Sequence, residues 1–289
     1  MMKFTRSCKN VSDSGILATV CLLLACTNSP QSAAQQRPLW ELGIGAAAFN
    51  VPYYRGSQSG RSYLLPFPYI IYRGDFLNID EDEVKGQLYE SDKVVLDLSL
   101  AAGVPVPSDV DGPRLGMPDL DPTVEFGPSL EFRLWQHREH KNQSLWLRLP
   151  VRAAFSVGSG GIGHEGWVFA PFFEFTKFKY GPGELEHNIA FGPLFADARY
   201  HSYFYGVDPA YATPSRPAYQ ARAGYSGSRI TLRTEKQIGD LNLSVFLRLD
   251  DLHNAVFADS PLVQTRHYHL VGFTVSWIFN RSEELVYSP

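Results

Sequence analysis

The 289-residue chain is short of cysteine, of basic excess and of long apolar runs. Its three cysteines are Cys8, Cys21 and Cys26, and nothing after Thr27 carries a thiol. That excludes a disulfide framework, a thiolate metal site and a cysteine nucleophile from the body of the chain. It also suits a chain that crosses an oxidising compartment. The net charge of −4 and the lack of a basic stripe interleaved with aromatics exclude a nucleic-acid partner. No apolar run of helix-spanning length follows the N-terminus. No serine sits in a nucleophile-elbow context, and no nucleophile, base and carboxylate can be grouped, so the chain is read as a non-enzyme without cofactor or metal.

What is present at the start is an export signal. Lys3, Arg6 and Lys9 precede the apolar run from Gly15 to Ala25. Small residues at Ser32 and Ala34 favour cleavage before Gln35, giving a signal over residues 1–34 and a mature body over 35–289. A lipoprotein signal ending before Cys26 is the competing reading.

The body is dominated by alternation. In residues 123–135, Val124, Phe126, Leu130, Phe132 and Leu134 fall on one face, while Glu125, Glu131 and Arg133 fall on the other. Residues 144–157 repeat the pattern, with Leu145, Leu147 and Leu149 against Trp146, Arg148 and Arg152. A side-chain period of two means strands with one apolar and one ionic face. A series of them predicts an all-β, antiparallel transmembrane β-barrel in a bacterial outer membrane, with lipid outside and a polar lumen inside. The series gives about twelve strands, or ten to fourteen if weak pairs merge or split, and an even count places both termini in the periplasm.

The predicted strands include 38–49, 62–72, 75–80, 84–90, 93–104, 167–179, 184–206, 217–237, 241–251 and 267–279, followed by a tail over 280–289. The segment before Trp167 is read as a Gly-rich loop. Parity puts Glu41, Glu125, Glu131, Arg133, Arg148, Arg152, Glu174, Glu186, Arg248 and Asp250 in the lumen, where they either pair across it or line water. Trp40, Trp135, Trp146, Trp167 and Trp277, with Phe279, lie near strand ends, as interface aromatics do. Pro128, Pro150, Pro171 and Pro193 each remove a ladder donor, which predicts a belt of bulges or kinks. His267 and His269 share a face, but two ligands do not make a metal site. Asp109, Asp119 and Asp121 are read as a solvated acidic loop.

Several motifs carry a resemblance: Tyr63-Leu-Leu-Pro-Phe-Pro-Tyr-Ile-Ile-Tyr-Arg-Gly-Asp-Phe-Leu77, Gly116-Met-Pro-Asp-Leu-Asp-Pro122, Phe126-Gly-Pro-Ser129, Asp259-Ser-Pro-Leu-Val263 and Val275-Ser-Trp-Ile-Phe279. Together they resemble the MltA-interacting protein/OmpV family over residues 39–279. The resemblance implies an outer-membrane barrel with no cofactor and no catalytic residues. It implies a structural role, scaffolding a lytic transglycosylase and a murein synthase in peptidoglycan metabolism. The alternative is a small-solute channel, or a porin-like protein of the osmotic or antibiotic response. Outer-membrane lipid and the barrel-insertion machinery are further expected partners. Phe279 is not terminal, so the usual insertion signal sits one segment inside the end. The turn 136–143 and the tail 280–289 are the candidate docking surfaces.

Overall fold

The computed structural model describes residues 36–74, 77–79, 84–86, 89–91, 93–108, 112–138, 143–179 and 185–287. The export signal, the acidic tip 80–83 and the centre of turn 136–143 lie outside them.

The strands in chain order are β1 (Gln36–Pro38), β2 (Trp40–Pro52), β3 (Gly60–Arg73), β4 (Leu77–Ile79), β5 (Val84–Gly86), β6 (Tyr89–Glu90), β7 (Val94–Gly103), β8 (Thr123–Gln136), β9 (Ser144–Gly158), β10 (Gly161–Phe169), β11 (Phe172–Lys179), β12 (Glu186–Ala196), β13 (Gly224–Ile238), β14 (Leu241–Asp251), β15 (His267–Arg281) and β16 (Leu285–Tyr287). One helix, α1 (Ala198–Tyr205), interrupts them. No described helix is long and apolar enough to cross a membrane, which says nothing about strands.

Fourteen of the strands form one antiparallel sheet, ordered from β5 through β4, β3, β2, β15, β14, β13, β12, β10, β9, β8 and β7 to β6, with β11 between β12 and β9. The two ends of this path, β5 and β6, are separated in sequence only by residues 87 and 88. A sheet whose edges are neighbours in the chain must curl round on itself, and β5 does lie beside β7. The hydrogen-bond ladder is nevertheless open at this seam among the described residues. Short turns such as 239–240 gather at the end holding both chain termini, and the long connections 104–122, 197–223 and 252–266 gather at the other.

The side chains follow the pleat. Phe273 and Trp277 are 57% and 55% exposed on the outward face, while Glu131 and Asp250 are 4% and 3% exposed within. The outward band continues through Ile44, Phe126, Val151, Phe191, Ile230 and Val245. This inverts the usual partition: apolar outside, ionic inside. An exposed apolar belt of that extent marks a surface that is not in contact with water.

Four sequence expectations need correction. The segment before Trp167 is not a loop: β10 starts at Gly161 and pairs with β9 from the Gly161–Gly158 rung onward. The segment 184–206 is not one strand, because the Asp197 carboxylate accepts the Tyr200 N–H and starts α1. A capped first turn satisfies an orphan helix donor that the sheet would leave open. Residues 217–223 are not in a strand, which begins at Gly224. The segment 167–179 is not one unbroken strand, since β10 ends at Phe169 and β11 starts at Phe172; within the tail, β16 pairs with β1 in a separate ribbon.

The prolines do form a belt. The β8–β9 ladder skips Gly127 and Pro128, the β10 and β11 halves part at Ala170 and Pro171, and the β12–β13 register shifts after Pro193. The pairing of β7 with β8 alone passes Pro128 unbroken. Gly127 and Gly192 precede two of these prolines, and a Cβ there would run into the backbone oxygens of Val151 and Pro171. Neighbouring strands approach closely where the prolines remove donors.

Candidate functional site

The interior is built by register. Glu131 pairs across the ladder with Arg148, and Trp146 lies across from both Arg133 and Glu174. Arg148 thus sits between two carboxylates, Glu131 at 3.1 Å and Glu174 at 2.7 Å. Higher in the ring, Arg152 meets Glu125 at 3.0 Å. At the terminus end, Glu41 meets Arg73 at 2.7 Å. Asp250 accepts from Arg248 Nε at 2.8 Å. Of the lumen charges expected from parity, Glu125, Glu131, Arg148 and Asp250 are buried and ion-paired, and Glu174, Arg152 and Arg248 are partly buried and ion-paired. Arg133 has its guanidinium 5.3 Å from the Trp146 ring centre.

The aromatics separate by face. Trp167, Trp277 and Phe279 are exposed outward, and Trp277 and Phe279 meet edge-on. Trp40 is half-buried at the start of β2. Trp135 would share the ionic face under strict alternation. A bulge between Arg133 and Trp135 turns it outward, onto Phe175 and opposite Leu145. Trp146 stays inside, donating its indole N–H to Ser144 at 2.8 Å. Trp167 is well down its strand from Gly161, yet level with the end of neighbouring β12, because Val168 pairs with Ala196.

A cap closes the end away from the termini. Helix α1 and the long connections bury Tyr54, Val106, Tyr205, Leu252, Phe257 and Leu262 in one cluster. Each such side chain contributes about 1.5–3 kcal/mol when fully buried. Tyr205 stacks on Phe257 with ring centres 3.7 Å apart. Polar links fix the cap to the ring. The Tyr200 hydroxyl donates to Glu125 at 2.8 Å, Tyr205 to the Arg55 carbonyl at 3.0 Å and Tyr203 to the Asp121 carbonyl at 2.8 Å. His201, on the buried face of α1, donates from Nδ1 to the Arg222 carbonyl at 2.6 Å, with Ser226 Oγ 2.7 Å from Nε2. Burial pushes the His201 pKa below its ordinary value, although the Arg222 carbonyl pulls the other way. Burial raises the Tyr54 phenol to about 12.

Parity reasoning missed Arg55, Tyr200 and Tyr268. Arg55 and Tyr200 come from a loop and a helix, which carry no strand period. Arg229 lay in plain view: it is inward by the same alternation, directly opposite Asp250. Among the described residues, one set of potential metal donors converges: Asp251, His253 and His267, within 4.8 Å on the outer rim. His269 does not join it. In the 104–122 connection, Asp119 accepts the Ser108 N–H at 2.6 Å, so its carboxylate holds the loop.

Residues 44–279 match the family described as MltA-interacting protein MipA. YiaT of Escherichia coli strain K12, named for the outer membrane, is 26% identical over 243 residues, covering 83% of this chain and 91% of YiaT. Its counterpart in Escherichia coli O157:H7 matches to the same extent. An outer membrane channel from Pseudomonas putida F1 aligns over 88% of this chain and 100% of its own, with a TM-score of 0.39 and 9% identity.

Proposed function

The chain belongs to the MipA family of the outer membrane, and from that premise we propose that it is a membrane-embedded scaffold for murein-processing enzymes. In this reading the curled sheet is a transmembrane barrel of about twelve strands, counting β5 with β6 and β10 with β11 as single interrupted strands. Both termini then face the periplasm, and the cap faces outward. The observation that carries the reading is the obstructed interior: the mouth is covered by α1 and the long loops, and beneath it Arg148 and Arg152 are ion-paired with Glu131, Glu174 and Glu125. Such an interior favours a rigid body over a conduit. The docking surface is the periplasmic end, made of turn 136–143 and the β1–β16 ribbon. Its partners are a lytic transglycosylase, as the family name suggests for MltA, and a murein synthase.

The test is recovery of both enzymes from cross-linked envelopes. Deleting residues 285–289, or reversing the charges of turn 136–143, is expected to lower recovery while the barrel still inserts. Equal recovery with both variants would overturn the reading. A small-solute channel is the second reading, supported by a cavity beneath the cap. Planar-bilayer conductance altered by Arg148→Glu or Arg152→Glu would favour it.

A further inference from the structure

The cavity beneath the cap has a volume of about 200 Å³. On its wall, four strand and loop positions converge on one carboxylate. Arg229 on β13 and Tyr268 on β15 are the direct cross-strand partners of Asp250 on β14. Arg248 lies two residues back on the same face, and Arg55 descends from the connection between β2 and β3. Asp250 receives Arg55 Nε at 2.8 Å, Arg248 Nε at 2.8 Å and Arg229 Nε at 3.1 Å. Its side chain is wholly withdrawn from solvent.

Neither the charges nor the donors balance. Three guanidiniums surround a single carboxylate, leaving two positive charges in excess. Each guanidinium offers five N–H donors, whereas a carboxylate accepts about four. Tyr268 takes one more, from Arg248 Nη2 at 3.0 Å. Arg55 Nη2 is buried with no hydrogen-bond partner. The neighbouring Glu125 does not supply the missing charge, because it is already held by Arg152 and Tyr200. His201 cannot supply it either, since an imidazole carries no negative charge. Crowded, partly desolvated cations with unmet donors are costly unless an anion joins them. The rest of the wall is mixed: Val168, Leu194, Phe204 and Phe257 give it an apolar part, beside the polar Thr123, Glu125, Arg152 and Ser226.

We propose that this cavity binds a small organic carboxylate with an aromatic or apolar body. The planar carboxylate takes the N–H donors that Asp250 leaves over on Arg55 and Arg229, Arg55 Nη2 first among them, and the body packs on the Phe204 and Phe257 side. Arginine forks match planar carboxylates in two-point contact, and the apolar part of the wall, Val168, Leu194, Phe204 and Phe257, suits an organic body better than a hydrated inorganic ion. The inference stands apart from the scaffold reading: a barrel that recruits no enzyme still binds the acid, and a barrel that recruits enzymes can fail to bind it.

The experiment is calorimetric titration of the mature full-length protein in detergent with benzoate, inorganic phosphate and neutral benzamide. Benzoate is expected to bind and benzamide not to. Arg229→Gln and, separately, Arg55→Gln are expected to weaken benzoate by about tenfold or more, as loss of a charge-assisted contact does. Heat-modifiable gel migration confirms that each variant is folded. Benzoate binding no tighter than benzamide, binding unchanged in both folded variants, or phosphate preferred over benzoate would each overturn the proposal.

Discussion

At the scale of single residues, the interior is a set of charges that cannot be removed one at a time. Arg148 bridges the buried Glu131 and the partly buried Glu174, so Arg148→Met takes the bridging cation from both carboxylates at once. Removing one partner from a buried pair costs about 3–5 kcal/mol, whereas replacing all members with neutral side chains is often nearly neutral. Urea unfolding in detergent is therefore expected to show a large loss for Arg148→Met and substantial recovery in the triple variant Glu131→Gln, Arg148→Met, Glu174→Gln. His201 gives a second prediction. Its folded pKa lies below the ordinary value, so the unfolded state takes up the proton first as pH falls. The contribution is fully present above about pH 6.5 and is lost as pH drops from there through the folded value. Protease cleavage within residues 207–223 is expected to speed up between pH 7 and pH 5, and that pH dependence to flatten in His201→Gln. Equal slopes in the two proteins would remove His201 as its source.

At the scale of elements, the Asp197 side chain decides where a strand gives way to a helix. Asp197→Ala removes the bond to the Tyr200 N–H and is expected to cost about 0.5–2 kcal/mol, with Asp197→Ser retaining most of it. Limited proteolysis of the cap, beside unchanged heat-modifiability of the barrel, separates this local loss from global unfolding. The same element shows where sequence reading stops. The strands 123–135, 144–157 and 241–251 were legible because each keeps one face in an apolar medium, which enforces a period of two. Residues 198–205 hold four aromatics, which suit strand and helix alike, and only the cap and the buried pair His201 and Tyr205 at helical spacing distinguish them. Trp135 illustrates a smaller failure. A one-residue bulge reverses its face, and bulges leave no trace in alternation until the partner strand is known. The ion-paired carboxylates were readable by parity. The excess of cations around Asp250 was readable only in part: Arg229 and Arg248 share its face by parity, but Arg55 reaches it from a loop.

At the scale of the whole molecule, two barriers lie in series along the axis. The cap covers the end away from the termini, and the Glu131, Arg148 and Glu174 group lies in the half nearer the termini, where β8, β9 and β11 are a few residues from their turns. If both close the interior, opening one alone changes little. Deleting residues 207–222 while leaving α1 in place is expected to keep planar-bilayer conductance near background. Combining that deletion with neutral, smaller side chains at Glu131, Arg148 and Glu174 is expected to produce stepwise, salt-dependent conductance. Porin-sized steps from the loop deletion alone would mean that the charges line water instead of spanning it. The rigid-body argument for a scaffold would then fall to the channel reading. No conductance from the combined variant, in a protein still heat-modifiable and inserted, would place the closure in α1 and its buried aromatic cluster, which the deletion leaves intact.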